Sequence, residues 1–272
     1  MNVTVFNASL VAYLLASVLY AVFAAARRNR LVGLAATAVL LVGFLANSAG
    51  FVIRYLESHQ AGFAYMPLSN MYESMVFFAW SIVGIYLLFE WKYGVRSLGT
   101  LVAPLGALSI ALVSLNPAIS TELQPLVPAL QSNWLTSHVV TCFIGYAAFA
   151  VAFAASGGYL VKGTKGEGFL PAGKGLDEIA YKGIAVGFPF LTLGILTGAA
   201  WANYAWGTYW SWDPKETWSL ITWFVYAAYL HARFTAGWKG KRLAWLSVVG
   251  FGATMFTYWG VNFVLSGLHS YG

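Results

Sequence analysis

Apolar runs long enough to cross a bilayer recur along the whole chain. They lie at about 7–26, 31–53, 70–89, 98–115, 134–161, 183–202, 216–234 and 243–265, and each approaches the roughly 20 residues that span a hydrocarbon core. Backbone polar groups inside a bilayer must be satisfied within the segment itself, so such runs are helices. With 60% hydrophobic and 9% charged residues, the chain does not have the composition of a soluble globular domain. The expected fold is all-α: a polytopic integral membrane bundle of about eight transmembrane helices, one transmembrane domain over residues 1–272.

The connecting segments carry local signals. Met1–Ser9 lacks the basic stretch of a cleaved signal peptide. Residues 54–68 read as a loop containing Glu57 and His59, with His59 a solvated loop residue. Asn70 and Glu73 have the spacing of a capping box that opens the third helix. Residues 116–133 form a loop with Pro117, Pro125 and Pro128, and residues 162–176 read as a mobile Gly/Lys-rich linker. Gly168, Gly173 and Lys174 imitate the start of a phosphate-binding loop, but Gly175 stands where Ser or Thr is required and no strand precedes it. Residues 177–182 read as an amphipathic lead-in to the sixth span, where Pro189 marks a kink site and Gly194-x3-Gly198 a close-packing face. The single cysteine, Cys142, forms no internal disulfide and reads as a small hydrophobe.

Charge fixes the expected orientation. Arg27, Arg28, Arg30, Lys92, Arg96, Lys162, Lys165, Lys174, Lys182, Arg233, Lys239, Lys241 and Arg242 fall on one side of an eight-span topology, and only Arg54 and Lys215 on the other, 13 against 2. The positive-inside rule puts the larger set in the cytoplasm and both termini outside. Topology thus accounts for the net charge of +6, and no nucleic-acid partner is needed.

Between the sixth and seventh runs lies Trp201-Ala-Asn-Tyr-Ala-Trp206-Gly-Thr-Tyr-Trp210-Ser-Trp212-Asp213-Pro-Lys-Glu216-Thr-Trp218, with five of the twelve tryptophans. The loop proper, about 203–216, faces outward. Its aromatics are either an interfacial belt or a platform for a flat apolar ligand, and Gly207 allows close backbone approach. Asp213, Pro214 and Glu216 have the pattern of a capping box and first turn, so Asp213 is a candidate helix cap. His138 and His269 sit at the outer ends of the fifth and eighth runs, either as interfacial polar residues or as two imidazoles flanking the platform. Neutral imidazole is a common axial ligand of haem iron. His231 lies about 14 residues into the seventh run, roughly 20 Å from its outer end. At that depth it is a packing histidine or a ligand; a second donor then comes from another chain or from Met255.

The run Trp206 to Trp218, continued by Ser219-Leu-Ile-Thr-Trp223, and the ending Gly260-Val-Asn-Phe-Val-Leu-Ser-Gly-Leu-His269 resemble the WWD-signature proteins of the CcsA (ResC) branch of System II cytochrome c biogenesis. The resemblance extends from Pro67-Leu-Ser-Asn-Met-Tyr-Glu73 onward. It implies a bacterial inner-membrane protein with its active face in the periplasm, which carries haem b outward for attachment to apocytochrome c. It implies iron ligation by His138 and His269 outside and His231 within the membrane, and haem contact by Trp206, Trp210, Trp212, Asp213 and Trp218. The implied partners are a CcsB/ResB-like membrane subunit supplying the second transmembrane ligand, apocytochrome c with its Cys-x-x-Cys-His segment, thiol-reducing proteins and membrane lipid. Together these would form a cytochrome c synthase that makes thioether bonds. System I haem chaperones, which pass haem to a carrier protein, share the signature, and a haem-free assembly scaffold is the third reading.

Overall fold

The computed structural model describes residues 1–26, 28–63, 65–162, 170 and 173–265. His269 and most of the expected linker at 162–176 lie outside the described residues, as does Gly168 of the rejected phosphate-loop match. The described residues hold helices and no strand. They are α1 (Asn2–Ala25), α2 (Arg30–Gln60), α3 (Met71–Tyr93), α4 (Gly99–Ser114), α5 (Asn133–Lys162), α6 (Gly173–Trp206), α7 (Pro214–Phe234), α8 (Lys241–Met255) and α9 (Val261–Val264), with a π-helical turn Phe256–Gly260 joining α8 to α9. Six helices are long and apolar enough to cross a membrane: α1, α2, α3, Arg96–Ser114, α5 and α6. The seventh and eighth expected runs form α7 and the unbroken stretch α8–π–α9. The contacts gather into two compact units, one of Met1–Val127 with Leu170 and one from Pro128 on.

In the first unit α1 and α2 pack antiparallel, with the rings of Phe23, Tyr13 and Phe6 against Gly33, Gly43 and Gly50. A fully buried ion pair ties α2 to α3: Arg54 Nε donates to Glu73 Oε1 at 2.8 Å. Arg54 Nη1 donates to Asn2 Oδ1 at 3.0 Å and to the Thr121 carbonyl at 2.9 Å, and Nη2 donates to the Glu122 carbonyl at 3.4 Å. This network corrects the expected loop at 54–68, because α2 continues to Gln60. A buried guanidinium needs fixed acceptors, and a helical backbone aims Arg54 at them. His59 is exposed, as expected, but on the last turn of α2, its ring tilted 40° against that of Tyr55 with centres 4.0 Å apart. Asn70 does cap α3, accepting from Glu73 N at 2.9 Å. Glu73 reaches back to Ser69 N at 2.9 Å rather than to Asn70, because its other oxygen is engaged by Arg54.

In the second unit α5 and α6 form the tightest helix pair. Small residues let the backbones meet: a Cβ on Gly183 would lie 2.8 Å from the Ala148 carbonyl oxygen, and one on Gly145 3.1 Å from that of Gly187. α6 begins at Gly173 and passes through Pro189 to Trp206, so the expected lead-in at 177–182 is its first turns. Asp177 and Glu178 there bind Arg233 of α7 at 2.6 and 3.1 Å. α7 is held to α6 by Trp223 Nε1 donating to Thr192 Oγ1 at 2.9 Å, and to the π-turn by Thr222 and Thr257 at 3.0 Å.

Candidate functional site

The site is built where the first turns of α5 meet the last turns of α6. His138 lies in the second turn of α5, and its Nδ1 is 2.7 Å from the Gly194 carbonyl oxygen of α6. A carbonyl only accepts, so Nδ1 carries the proton and Nε2 keeps its lone pair. Among the described residues no protein group bonds Nε2. Donation from one ring nitrogen to a backbone carbonyl is how metal-ligating histidines are oriented. The cradle around the ring is made of absent side chains. A Cβ on Gly198 would lie 2.6 Å from His138 Nδ1, and one on Gly194 would lie 2.5 Å from Cys142 Sγ. The close-packing face expected at Gly194-x3-Gly198 is thus the seat of the histidine. One turn on, Trp201 stacks on the imidazole with ring centres 6.1 Å apart and planes 16° apart. Its own ring is fixed, being 1% exposed and donating from Nε1 to the Ala129 carbonyl at 2.8 Å.

Trp201 continues to Trp206, edge-on at 4.9 Å. Both are helical residues of α6, which narrows the expected loop to 207–213. Gly207 breaks the helix with φ +79°. Nothing lies within 4 Å of where its Cβ would be, so the glycine serves the left-handed backbone and not a close approach. The return is fixed by a complete capping box, Asp213 with Glu216, and Pro214 in the first turn of α7. Glu216 Oε2 accepts from Ser211 N at 2.7 Å, Ser211 Oγ at 3.2 Å and Asp213 N at 3.2 Å. Its Oε1 is buried with no hydrogen-bond partner among the described residues. This bracing holds Trp212 at φ +60°, a conformation that costs a non-glycine residue about 1–2 kcal/mol. The strain puts the Trp212 ring 69% into the open, perpendicular to Trp210 at 5.7 Å. Trp218 stands apart from that display, packed on Phe256 at 4.2 Å.

Two residues beyond the expected set join the site. Lys215, in the first turn of α7, is half-buried, and its Nζ donates to Asn262 Oδ1 of α9 at 2.8 Å. Neither Lys215 nor Asn262 announces itself in the sequence, since only folding brings the start of α7 to α9. Trp201, by contrast, stands at i+3 from Gly198 and so shares the His138-facing side of α6.

His231 is elsewhere. It sits in the last turn of α7, is exposed, and has a long 3.5 Å contact to Thr235 Oγ1. Arg233, its expected neighbour, is committed to α6. The turn after α7 leads into α8 at Lys241, and Met255 stands at the far end of α8, so Met255 is not placed to serve as its second donor. The described residues contain no cluster of three or more His, Cys, Asp or Glu side chains able to hold a bare metal ion.

Comparison with known proteins bears on this arrangement. The family model described as Cytochrome C assembly protein matches residues 68–269. The cytochrome c biogenesis protein CcsA of Gloeobacter violaceus is 37% identical, over 98% of this chain and 94% of its own. That of Synechococcus elongatus is 40% identical, over 87% and 86%. The CcsA of Chlamydomonas reinhardtii is 47% identical over 76% of this chain, but the match spans only 61% of that protein. Among solved structures, the cytochrome c haem lyase CcmF shares the fold with a TM-score of 0.71 at 21% identity, over 94% of this chain and 46% of its own. A match across three-quarters of the chain, supported by full-length relatives, shows that this protein belongs to the cytochrome c assembly protein family, in its CcsA branch.

Proposed function

We propose that this chain handles haem b in cytochrome c biogenesis, presenting it outside the membrane for attachment to apocytochrome c as one subunit of a System II synthase. The observation that carries the reading is the oriented imidazole of His138, with its Nε2 unengaged, flanked by Trp201, Trp206 and the braced Trp210–Trp212 segment. This donor set fits an iron porphyrin: one neutral nitrogen for an axial position and broad aromatic area for the ring. When bound, such a group supplies an iron that takes axial ligands and vinyl groups to which thiols add.

The chain's residues do the holding. His138 Nε2 and His269 would supply nitrogen donors to the iron, and Trp206, Trp210 and Trp212 would provide stacking surface for the ring. Asp213 and Glu216 keep that surface in place by fixing the turn. His231, exposed on α7, is suited to a site completed by a CcsB/ResB-like subunit. An apocytochrome Cys-x-x-Cys-His segment and thiol-reducing proteins are the other partners. With eight crossings, the 13-to-2 charge split puts both termini and the tryptophan segment outside a bacterial inner membrane.

The test replaces His138 or His269 with Gly. Haem content and cytochrome c maturation should fall, and added imidazole should restore part of each by supplying the missing nitrogen. Normal haem content in both variants without imidazole would return these histidines to interfacial polar residues.

A further inference from the structure

Trp201 offers no open face to a flat ligand, because it is 1% exposed where Trp212 is 69% exposed. Its contacts lead to the histidine instead. The indole lies within 16° of parallel to the His138 imidazole, with ring centres 6.1 Å apart. The indole is itself held on two sides. Its Nε1 donates to the Ala129 carbonyl at 2.8 Å, in the short 3-10 turn Pro128–Leu130, and Trp206 meets it edge-on at 4.9 Å. Tyr204, three residues on, donates its hydroxyl to the Gln131 carbonyl at 3.2 Å. The segment carrying Ala129 is thus pinned to α6 twice.

Along α6 the groups that meet His138 come from residues 194, 198 and 201, a spacing of four and three that lies on one helix face. Each supplies something different. Gly194 gives a carbonyl acceptor 2.7 Å from Nδ1. Gly198 gives space, since a Cβ there would lie 2.6 Å from Nδ1. Trp201 gives a flat wall. The hydrogen bond anchors only the ring edge that carries Nδ1, and such a bond tolerates about 30° of bending. A ligating group must be held within about 10–20° of its working direction. The bond alone therefore lets the Nε2 edge rock too far, and a rigid ring lying nearly parallel to the imidazole removes that freedom.

We propose that Trp201 is a positioning residue for the iron ligand: held by Ala129, it stops the His138 imidazole from rocking and so fixes where Nε2 points. The inference rests on the haem reading above and adds to it a tryptophan that acts through His138 and not on the porphyrin.

The experiment loads the purified full chain in detergent with ferric iron protoporphyrin IX. It reads the absorption spectrum, the rate of haem loss to excess apomyoglobin, and thermal unfolding. Trp201→Leu should shift the spectrum toward high-spin iron and release haem about ten-fold faster, the upper end of what one aromatic pair contributes. Added imidazole should restore the low-spin spectrum. Trp201→Phe keeps a flat ring without the Nε1 donor, and it should stay low-spin and release haem about three-fold faster, the worth of one neutral hydrogen bond. Trp223→Leu is the control for a structural tryptophan: it removes the Nε1 bond to Thr192 Oγ1 that holds α7 to α6. It should lower thermal stability and leave the spectrum and release rate unchanged. Where Trp201→Leu does not fold, Trp201→Met takes its place with the same expected outcomes. A wild-type spectrum and release rate without the flat ring would overturn the role of Trp201 and leave the haem site standing. So would equal behaviour with and without the flat ring, or the same spectral change in Trp223→Leu. Failure of the wild type to bind iron protoporphyrin would overturn the haem reading and this role with it.

Discussion

The Gly194 carbonyl oxygen lies 2.7 Å from His138 Nδ1. That one contact fixes the tautomer, the ring plane and the nitrogen left for a ligand. It exists because Gly194 and Gly198 let α5 approach α6 closely enough for an imidazole to sit on a helix backbone.

Gly198→Ala should therefore displace the imidazole, because its Cβ would lie 2.6 Å from Nδ1. Gly187→Ala is the matched control: it also crowds α5, through Phe149 at 2.5 Å, but away from His138. Each should lower stability by about 1–3 kcal/mol through overpacking. Only Gly198→Ala should change the haem absorption spectrum and respond to imidazole. Identical spectra for the two variants would argue against a seat for the histidine.

Trp212→Gly separates strain from function. The residue sits at φ +60°, so glycine should relieve about 1 kcal/mol and leave the melting temperature unchanged or raised. Haem retention should fall, because a ring that is 69% exposed is lost. A melting temperature several degrees lower would show that the Trp212 ring holds the fold.

Asp213 is tested by two substitutions. Asn caps a helix about as well as Asp, whereas Ala costs about 1 kcal/mol. Asp213→Asn should keep normal maturation, and Asp213→Ala should lower both thermal stability and maturation. Loss of maturation in Asp213→Asn at unchanged stability would assign the carboxylate a role beyond the cap.

The Arg54–Glu73 pair should behave as a buried ion pair. Arg54→Met leaves the Glu73 charge unpaired and should cost roughly 3–5 kcal/mol, and Glu73→Leu a similar amount. The double variant should recover most of the loss, as measured by thermal unfolding in detergent. Additive losses would mean that the two residues act independently.

The helical membrane class, the places of all eight helical runs, the Asp213–Glu216 cap and the aromatic segment were determined by the sequence itself. Each rests on neighbours in the chain: hydropathy over some 20 residues, or a cap closing over three. The tertiary structure decided what those elements do to one another. It extended α2 through Arg54, because a buried guanidinium needs acceptors on α3 and the 121–122 backbone. It assigned Trp201 and Trp206 to a helix and packed Trp218 on Phe256 rather than beside Trp212. It turned the Gly194-x3-Gly198 face into the cradle of His138 and brought Lys215 to Asn262, 47 residues away. No local pattern encodes such meetings, because the distance between two side chains on different helices is set by the small residues that let the backbones close.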